Sequence, residues 1–118
     1  MILVDTSAWI EHFRRGSPEL AEALEREDVV IHPFVVGEIA CGNLKNRAEI
    51  MHLLEALPRA PVATDDEALV FIEERKLMGR GIGYIDVHVL ASAALGEGIR
   101  LWTADRKLNA VAEELKLS

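Results

Sequence analysis

The chain repeats one pattern: a short run of aliphatic, mostly β-branched residues, then a stretch with helical punctuation. Met1-Ile-Leu-Val4 stops at the polar Asp5-Thr6-Ser7, Val29-Val30-Ile31 stops at His32-Pro33, and Ile99 to Thr103 runs out just before Asp105. Short β runs that alternate with helical segments call for a parallel sheet, because parallel strands can be joined only by crossovers long enough to hold a helix. The expected architecture is α/β, a three-layer α/β/α arrangement with a central, mostly parallel sheet of four to five strands. Right-handed crossovers then limit how the helices can be placed.

The punctuation sets the expected helices. The first covers Ala8 to Phe13 after the Asp5-Thr6-Ser7 cap, and Arg14-Arg15-Gly16 ends it. Ser17-Pro18-Glu19 opens a second, to about Arg26, with an N-cap and a proline at the first helical position. A third leaves His32-Pro33, carries Glu38 and reaches about Leu44; Asn46 is expected to cap the next, which runs to Leu57. Pro58 and Pro61 mark a loop leading into a short extended piece near Val62. Asp65-Asp66-Glu67 starts a helix with acids in its first turn, and the glycine-rich 79–83 segment ends it. From Ile85 to Leu95 nearly every residue is apolar or small, which predicts a helix buried on most sides. A final helix spans Arg106 to Glu114, and Leu115-Lys116-Leu117 is expected to add an edge strand.

Length and composition bound the rest. A chain of 118 residues is expected to form one domain, residues 1–118, with one site. Aromatic residues are only 5% of it against 50% hydrophobic, so Leu, Ile, Val and Ala must build the core. The longest apolar stretches are too short to span a bilayer, and no basic segment precedes a long apolar run, so the chain is expected to be cytoplasmic with no membrane partner. Cys41 is the single cysteine, which excludes an intrachain disulfide and a Cys/His metal framework. The formal charge of -7 is awkward for a protein that meets a polyanion. A bound cation, or a basic protein partner in place of nucleic acid, would answer that objection.

Four acids can be placed relative to the carboxyl edge of such a sheet, where ligands bind. Asp5 follows the first strand directly, and Glu38 lies in the early turns of the helix that leaves the second. Asp86 begins a helix whose far end feeds the last strand, and a helix running antiparallel to the strands must start at their carboxyl edge. Asp105 comes just after that strand. Taken singly each acid reads as a cap or a solvated helical residue. Together they would repel one another unless a cation intervenes. All-oxygen ligation selects hard cations, Mg²⁺ or Mn²⁺, and zinc is a poor match. Such an ion polarises a phosphodiester and activates water, so no Ser, Cys or His nucleophile is needed. Helix N-termini at that edge add partial positive charge for phosphate.

The residues that carry this chemistry resemble a known family. Met1-Ile-Leu-Val-Asp-Thr-Ser-Ala-Trp-Ile10, His32-Pro33-Phe34-Val35-Val36-Gly37-Glu38, Gly81-Ile-Gly-Tyr-Ile-Asp86 and Leu101-Trp-Thr-Ala-Asp105 occur in the order found in PIN-domain ribonucleases of the VapC toxin type. The resemblance covers essentially the whole chain. It implies a Mg²⁺- or Mn²⁺-dependent endoribonuclease with an RNA substrate, a homodimer, and neutralisation by a VapB-like antitoxin. It also implies that Asp5 and Asp86 ligate the metal directly, that Glu38 and Asp105 do so directly or through water, and that Thr6 and Thr103 support the site.

Other features weigh less. The 79–83 glycine run lacks the spacing of a dinucleotide fingerprint and reads as a loop beside Asp86. Arg80 in that loop, with Arg106 and Lys107 beside Asp105, is positioned to meet RNA phosphates; Lys45 and Arg47 are weaker candidates. Histidines 12, 32, 52 and 88 share no ligand-like spacing, and Trp9 and Trp102 read as core anchors rather than stacking platforms. Two other functions compete with the nuclease. A phosphotransferase working through an aspartyl phosphate needs a second Asp two residues beyond Asp5, where Ser7 stands. A non-catalytic acidic module that docks a basic peptide needs no metal at all.

Overall fold

The computed structural model describes residues 1–118. Strand β1 (Ile2–Val4) lies between β2 (Val29–Val30) and β3 (Arg100–Trp102), and both pairings are parallel. Ile2 sits opposite Val29 on one side and Arg100 on the other, and Val4 sits opposite Trp102. The chain thus moves from β1 to one neighbour and later crosses to the other. The reversal makes the carboxyl end of β1 the switch point of the sheet, where open α/β folds place their ligands.

Seven helices flank this sheet: α1 (Thr6–Arg15), α2 (Pro18–Glu25), α3 (Pro33–Ala40), α4 (Arg47–Ala56), α5 (Asp65–Arg75), α6 (Tyr84–Leu95) and α7 (Arg106–Glu114). Side chains just ahead of them satisfy N–H groups that the first helical turn leaves without partners. Asp5 Oδ1 accepts from Ala8 N–H at 3.4 Å, Ser17 Oγ from Leu20 N–H at 3.3 Å, and Asp105 Oδ1 from Leu108 N–H at 2.9 Å. Thr64 and Glu67 form a reciprocal capping box at the start of α5. Because Asp5 is the cap, α1 begins at Thr6, two residues before the expected start.

Two expected strands do not form, so the sheet has three strands rather than four to five. The extended piece after α4 makes one parallel bridge, Ile31 to Arg59, with Ile31 N–H on Pro58 O and Ala60 N–H on Ile31 O. Lengthening that ladder would require an N–H from Pro58 in one direction and from Pro33 in the other, and proline has none. At the other edge Leu117 O accepts from Leu101 N–H at 2.6 Å, but the 115–117 segment forms no strand. Helix α3 stops at Ala40 rather than Leu44. Asn46 sits ahead of α4 in the left-handed region, φ 55°, without a side-chain cap bond. The neighbouring Arg47 does the tying, donating to the carbonyls of Ala40 and Gly42. Helix α5 ends at Arg75, well before the glycine run.

A single cluster of 25 buried residues joins the sheet to the helices, and Leu, Ile, Val and Ala make up all but Trp9 and Phe71 of it. Trp9 is fully enclosed and stacks on Phe13 at 5.7 Å between ring centres, which fixes α1. Helix α6 buries seven consecutive residues, Val87 to Ala93. Each large aliphatic side chain so enclosed is worth about 1.5–3 kcal/mol of transfer free energy.

His32 is fully buried, and its Nδ1 accepts from Phe34 N–H at 2.9 Å, which caps α3 and requires the neutral ring. Burial first, then the neighbouring His88 and Arg59, push its pKa down to about 4. A histidine with a lowered folded pKa contributes stability that is present above its ordinary value and is lost as the pH falls towards the folded value. Acidification from the ordinary value of 6.5 to about 4 is expected to cost about 3 kcal/mol through this group. Urea unfolding across that range checks it: His32→Asn, which keeps a capping acceptor, should remove most of this slope, and an unchanged slope would contradict the assignment.

Candidate functional site

The carboxyl edge of the sheet collects Asp5 from the end of β1, Glu38 from α3, Asp86 from the first turn of α6 and Asp105 from the end of β3. Asp5 is buried, Asp86 is half-buried, and Glu38 and Asp105 are exposed. Burial raises the pKa of Asp5, and the charge of Asp86 raises it further, against hydrogen bonds from Ser7, Thr103 and Ala8 that lower it. Asp86 is likewise raised, first by burial and then by the charges of Asp105 and Glu38, against the Gly83 N–H that lowers it. The four acids therefore share one electrostatic neighbourhood with Asp86 at its centre.

Each acid is held by a bond that follows from its place in the chain. Asp86 Oδ2 accepts from Gly83 N–H at 3.1 Å, and Glu38 Oε1 accepts from Thr6 Oγ1 at 2.5 Å, which ties α3 to the start of α1. Glu38, Asp86 and Asp105 each keep one carboxylate oxygen without a hydrogen bond. As they stand, no three of the chain's His, Cys, Asp or Glu side chains converge closely enough to ligate one ion. The donor set nonetheless fits a hard cation: all oxygen, with spare oxygens on three acids and two carboxylates whose ionisation is opposed by burial and by their neighbours.

Ser7 is the residue that sequence reasoning missed. Its hydroxyl donates to Asp5 Oδ1 at 2.8 Å, accepts from Ala104 N–H at 3.0 Å, and lies 3.1 Å from Thr103 Oγ1. Thr103 Oγ1 in turn accepts from Asp105 N–H at 3.0 Å. One hydroxyl thus couples the ends of β1 and β3 and orients the most buried acid. A polar residue two positions after Asp5, on the turn where β1 becomes α1, was the available signal. Thr6 and Thr103, expected as supports, touch Glu38 and the Ser7–Asp105 link respectively.

The basic residues are placed differently. Arg80 is paired with Glu114, Nη2 to Oε2 at 2.6 Å, across the glycine loop and α7. Arg106 and Lys107 are exposed on the first turn of α7. The Lys107 side chain lies across Gly81, where φ is +79° and a Cβ would come within 2.9 Å of Lys107 Cδ, so this position demands glycine. Trp9 is enclosed in the core, and Trp102 is partly buried against it.

With this arrangement in view, comparison with known proteins is specific. A family model described as PIN domain matches residues 2–114. Ribonuclease VapC32 of Mycobacterium tuberculosis, in two strains, is 46% identical over 114 residues, covering 97% of this chain and 92% of the relative. The crystal structure of PAE2754 from Pyrobaculum aerophilum shares the fold with a TM-score of 0.63 at 22% identity, over 97% of this chain and 90% of that one. A parallel sheet with acids at its carboxyl edge, a family match along almost the whole chain and close relatives of one type agree: the chain belongs to the PIN-domain family and is of the VapC type.

Proposed function

We propose that this chain is a metal-dependent endoribonuclease, the toxin of a VapBC-type pair, and that Asp5, Glu38, Asp86 and Asp105 form its catalytic metal site. The observation that carries the reading is the gathering of four carboxylates at the switch point of the sheet, with Asp5 raised in pKa by burial and by Asp86, and Asp86 by burial and by Asp105 and Glu38. The relatives named ribonuclease support the substrate class. In this reading Asp5 and Asp86 hold Mg²⁺ or Mn²⁺ directly, and Glu38 and Asp105 do so directly or through water. When bound, the cation supplies polarisation of the phosphodiester and activation of the attacking water. Ser7 and Thr6 keep Asp5 and Glu38 in orientation, as outer partners of ligating carboxylates do. Thr103 holds the link between Ser7 and Asp105.

Arg106 and Lys107 are the cations available to RNA phosphates, and Arg80 would join them only by giving up Glu114. A VapB-like antitoxin carrying Arg or Lys suits the same acidic edge, which fits the net charge of -7. The reading includes a homodimer, supported by apolar side chains left half exposed on α5 and α6, among them Leu69, Val70 and Leu95. No helix is long and apolar enough to cross a membrane, and the proposed site of action is the cytoplasm.

The test of the activity is a map of the 5′ ends of cellular RNA after brief expression of this chain and of its Asp5→Asn variant. A discrete set of cuts, absent with Asp5→Asn and with Asp86→Asn and reduced about 10–100-fold by Ser7→Ala, is expected; cuts that persist in both aspartate variants would sink the reading. The repulsion within the site also has a sign in stability. A carboxyl whose folded pKa is raised destabilises the fold when ionised, and that cost is fully present at pH 7. Metal-free Asp86→Asn should therefore melt about 2–5 °C above the parent chain at pH 7. Adding Mg²⁺ or Mn²⁺ should raise the parent's melting point and leave the variant's nearly unmoved, as calorimetry will read directly.

A further inference from the structure

The chain has six Phe, Tyr and Trp residues, and only Phe34 and Tyr84 are exposed, at 38% and 45%. Both lie beside the carboxylate edge, on the first turns of the two helices that supply acids. Phe34 precedes Glu38 by four residues on α3, which puts the two on one helix face, and Tyr84 precedes Asp86 by two on α6. The rings are also braced. Each meets the same buried imidazole edge to face, Phe34 to His88 at 4.8 Å and Tyr84 to His88 at 4.6 Å between ring centres. Phe34 leans on His32 as well, at 5.0 Å, and Tyr84 OH donates to Asp65 Oδ1 at 3.0 Å.

Two exposed, pre-ordered rings beside an acidic site need an explanation, since a core would bury them. We propose that Phe34 and Tyr84 form a stacking platform for an unpaired nucleobase next to the phosphate that is cut. The inference rests on the ribonuclease reading and extends it to how substrate is held. The chain's charge of -7 weakens binding through phosphates, and stacking on an aromatic face is indifferent to that charge. Because His88, His32 and Asp65 already fix the rings, little side-chain entropy is lost when a base is stacked on them. Unstacked bases splayed onto aromatic rings are how proteins read single-stranded RNA, whereas a duplex keeps its bases stacked inside.

Binding is measured on the Asp5→Asn chain, which leaves RNA intact, with a fluorescent oligoadenylate of about 12 nucleotides and an abasic ribose-phosphate chain of the same length as probes. Phe34→Leu and Tyr84→Leu, which keep apolar bulk and remove the ring, should each weaken oligoadenylate binding about tenfold and leave the abasic probe unaffected. Tyr84→Phe, which loses the bond to Asp65 and keeps the ring, should bind as the parent does. Leucine variants that bind oligoadenylate as tightly as the parent, or a parent that binds both probes equally, would overturn the platform while leaving the ribonuclease reading intact. If the parent binds neither probe, that reading fails and the platform with it. If the leucine changes instead shift sedimentation from dimer to monomer, the rings form a contact between copies of the chain and the proposal is overturned.

Discussion

The parallel pairing of β1 between β2 and β3 is the constraint on which the rest depends. Parallel strands all leave the sheet at one edge, so the residue after each strand, and the first turn of each helix that starts there, arrive at the same place without any further instruction. Asp5 and Asp105 come from two strand ends, and Glu38 and Asp86 come from helices that begin at that edge. The apolar residues of β1 and the small, buried face of α6 hold this geometry from below, at a site that gains nothing from it in stability.

Two kinds of interaction meet at the edge and oppose each other. Helix starts want acids: Asp5, Asp86 and Asp105 each accept a backbone N–H that would otherwise lack a partner. The acids themselves repel one another, and burial adds to the cost of ionising Asp5 and Asp86. The cap bonds keep the carboxylates in place despite that repulsion, and a bound cation would remove its cause. A fold that pays stability to keep unpaired charges together is common at sites of chemistry.

Much of this was legible in the sequence because strand ends and caps are local. Met1 to Val4 followed by Asp5 states a buried strand and a cap in adjacent residues, and Ser17-Pro18 announces α2 in the same way. Direction alone then sent the four acids to one edge. What stayed hidden was set by contacts distant in sequence. The Ile31–Arg59 bridge stays short because Pro58 blocks it in one direction and Pro33 in the other, residues that lie on different segments. Ser7 shows its polar side chain beside Asp5 in the sequence, but its bonds to Ala104 and Thr103 reach almost a hundred residues away, so the link between β1 and β3 could not be read locally. Nothing local marks Phe34 and Tyr84 as exposed; in the fold both rings pack against the buried His88 and remain open to solvent.

Whether the four acids are one cation site is tested, without reference to any RNA, by Mn²⁺ binding at pH 7 followed by the electron paramagnetic resonance of the free ion. The parent chain is expected to bind Mn²⁺, and Asp5→Asn and Asp86→Asn each to weaken that binding at least about tenfold, with circular dichroism unchanged. Binding of equal strength in all three chains would contradict a single site.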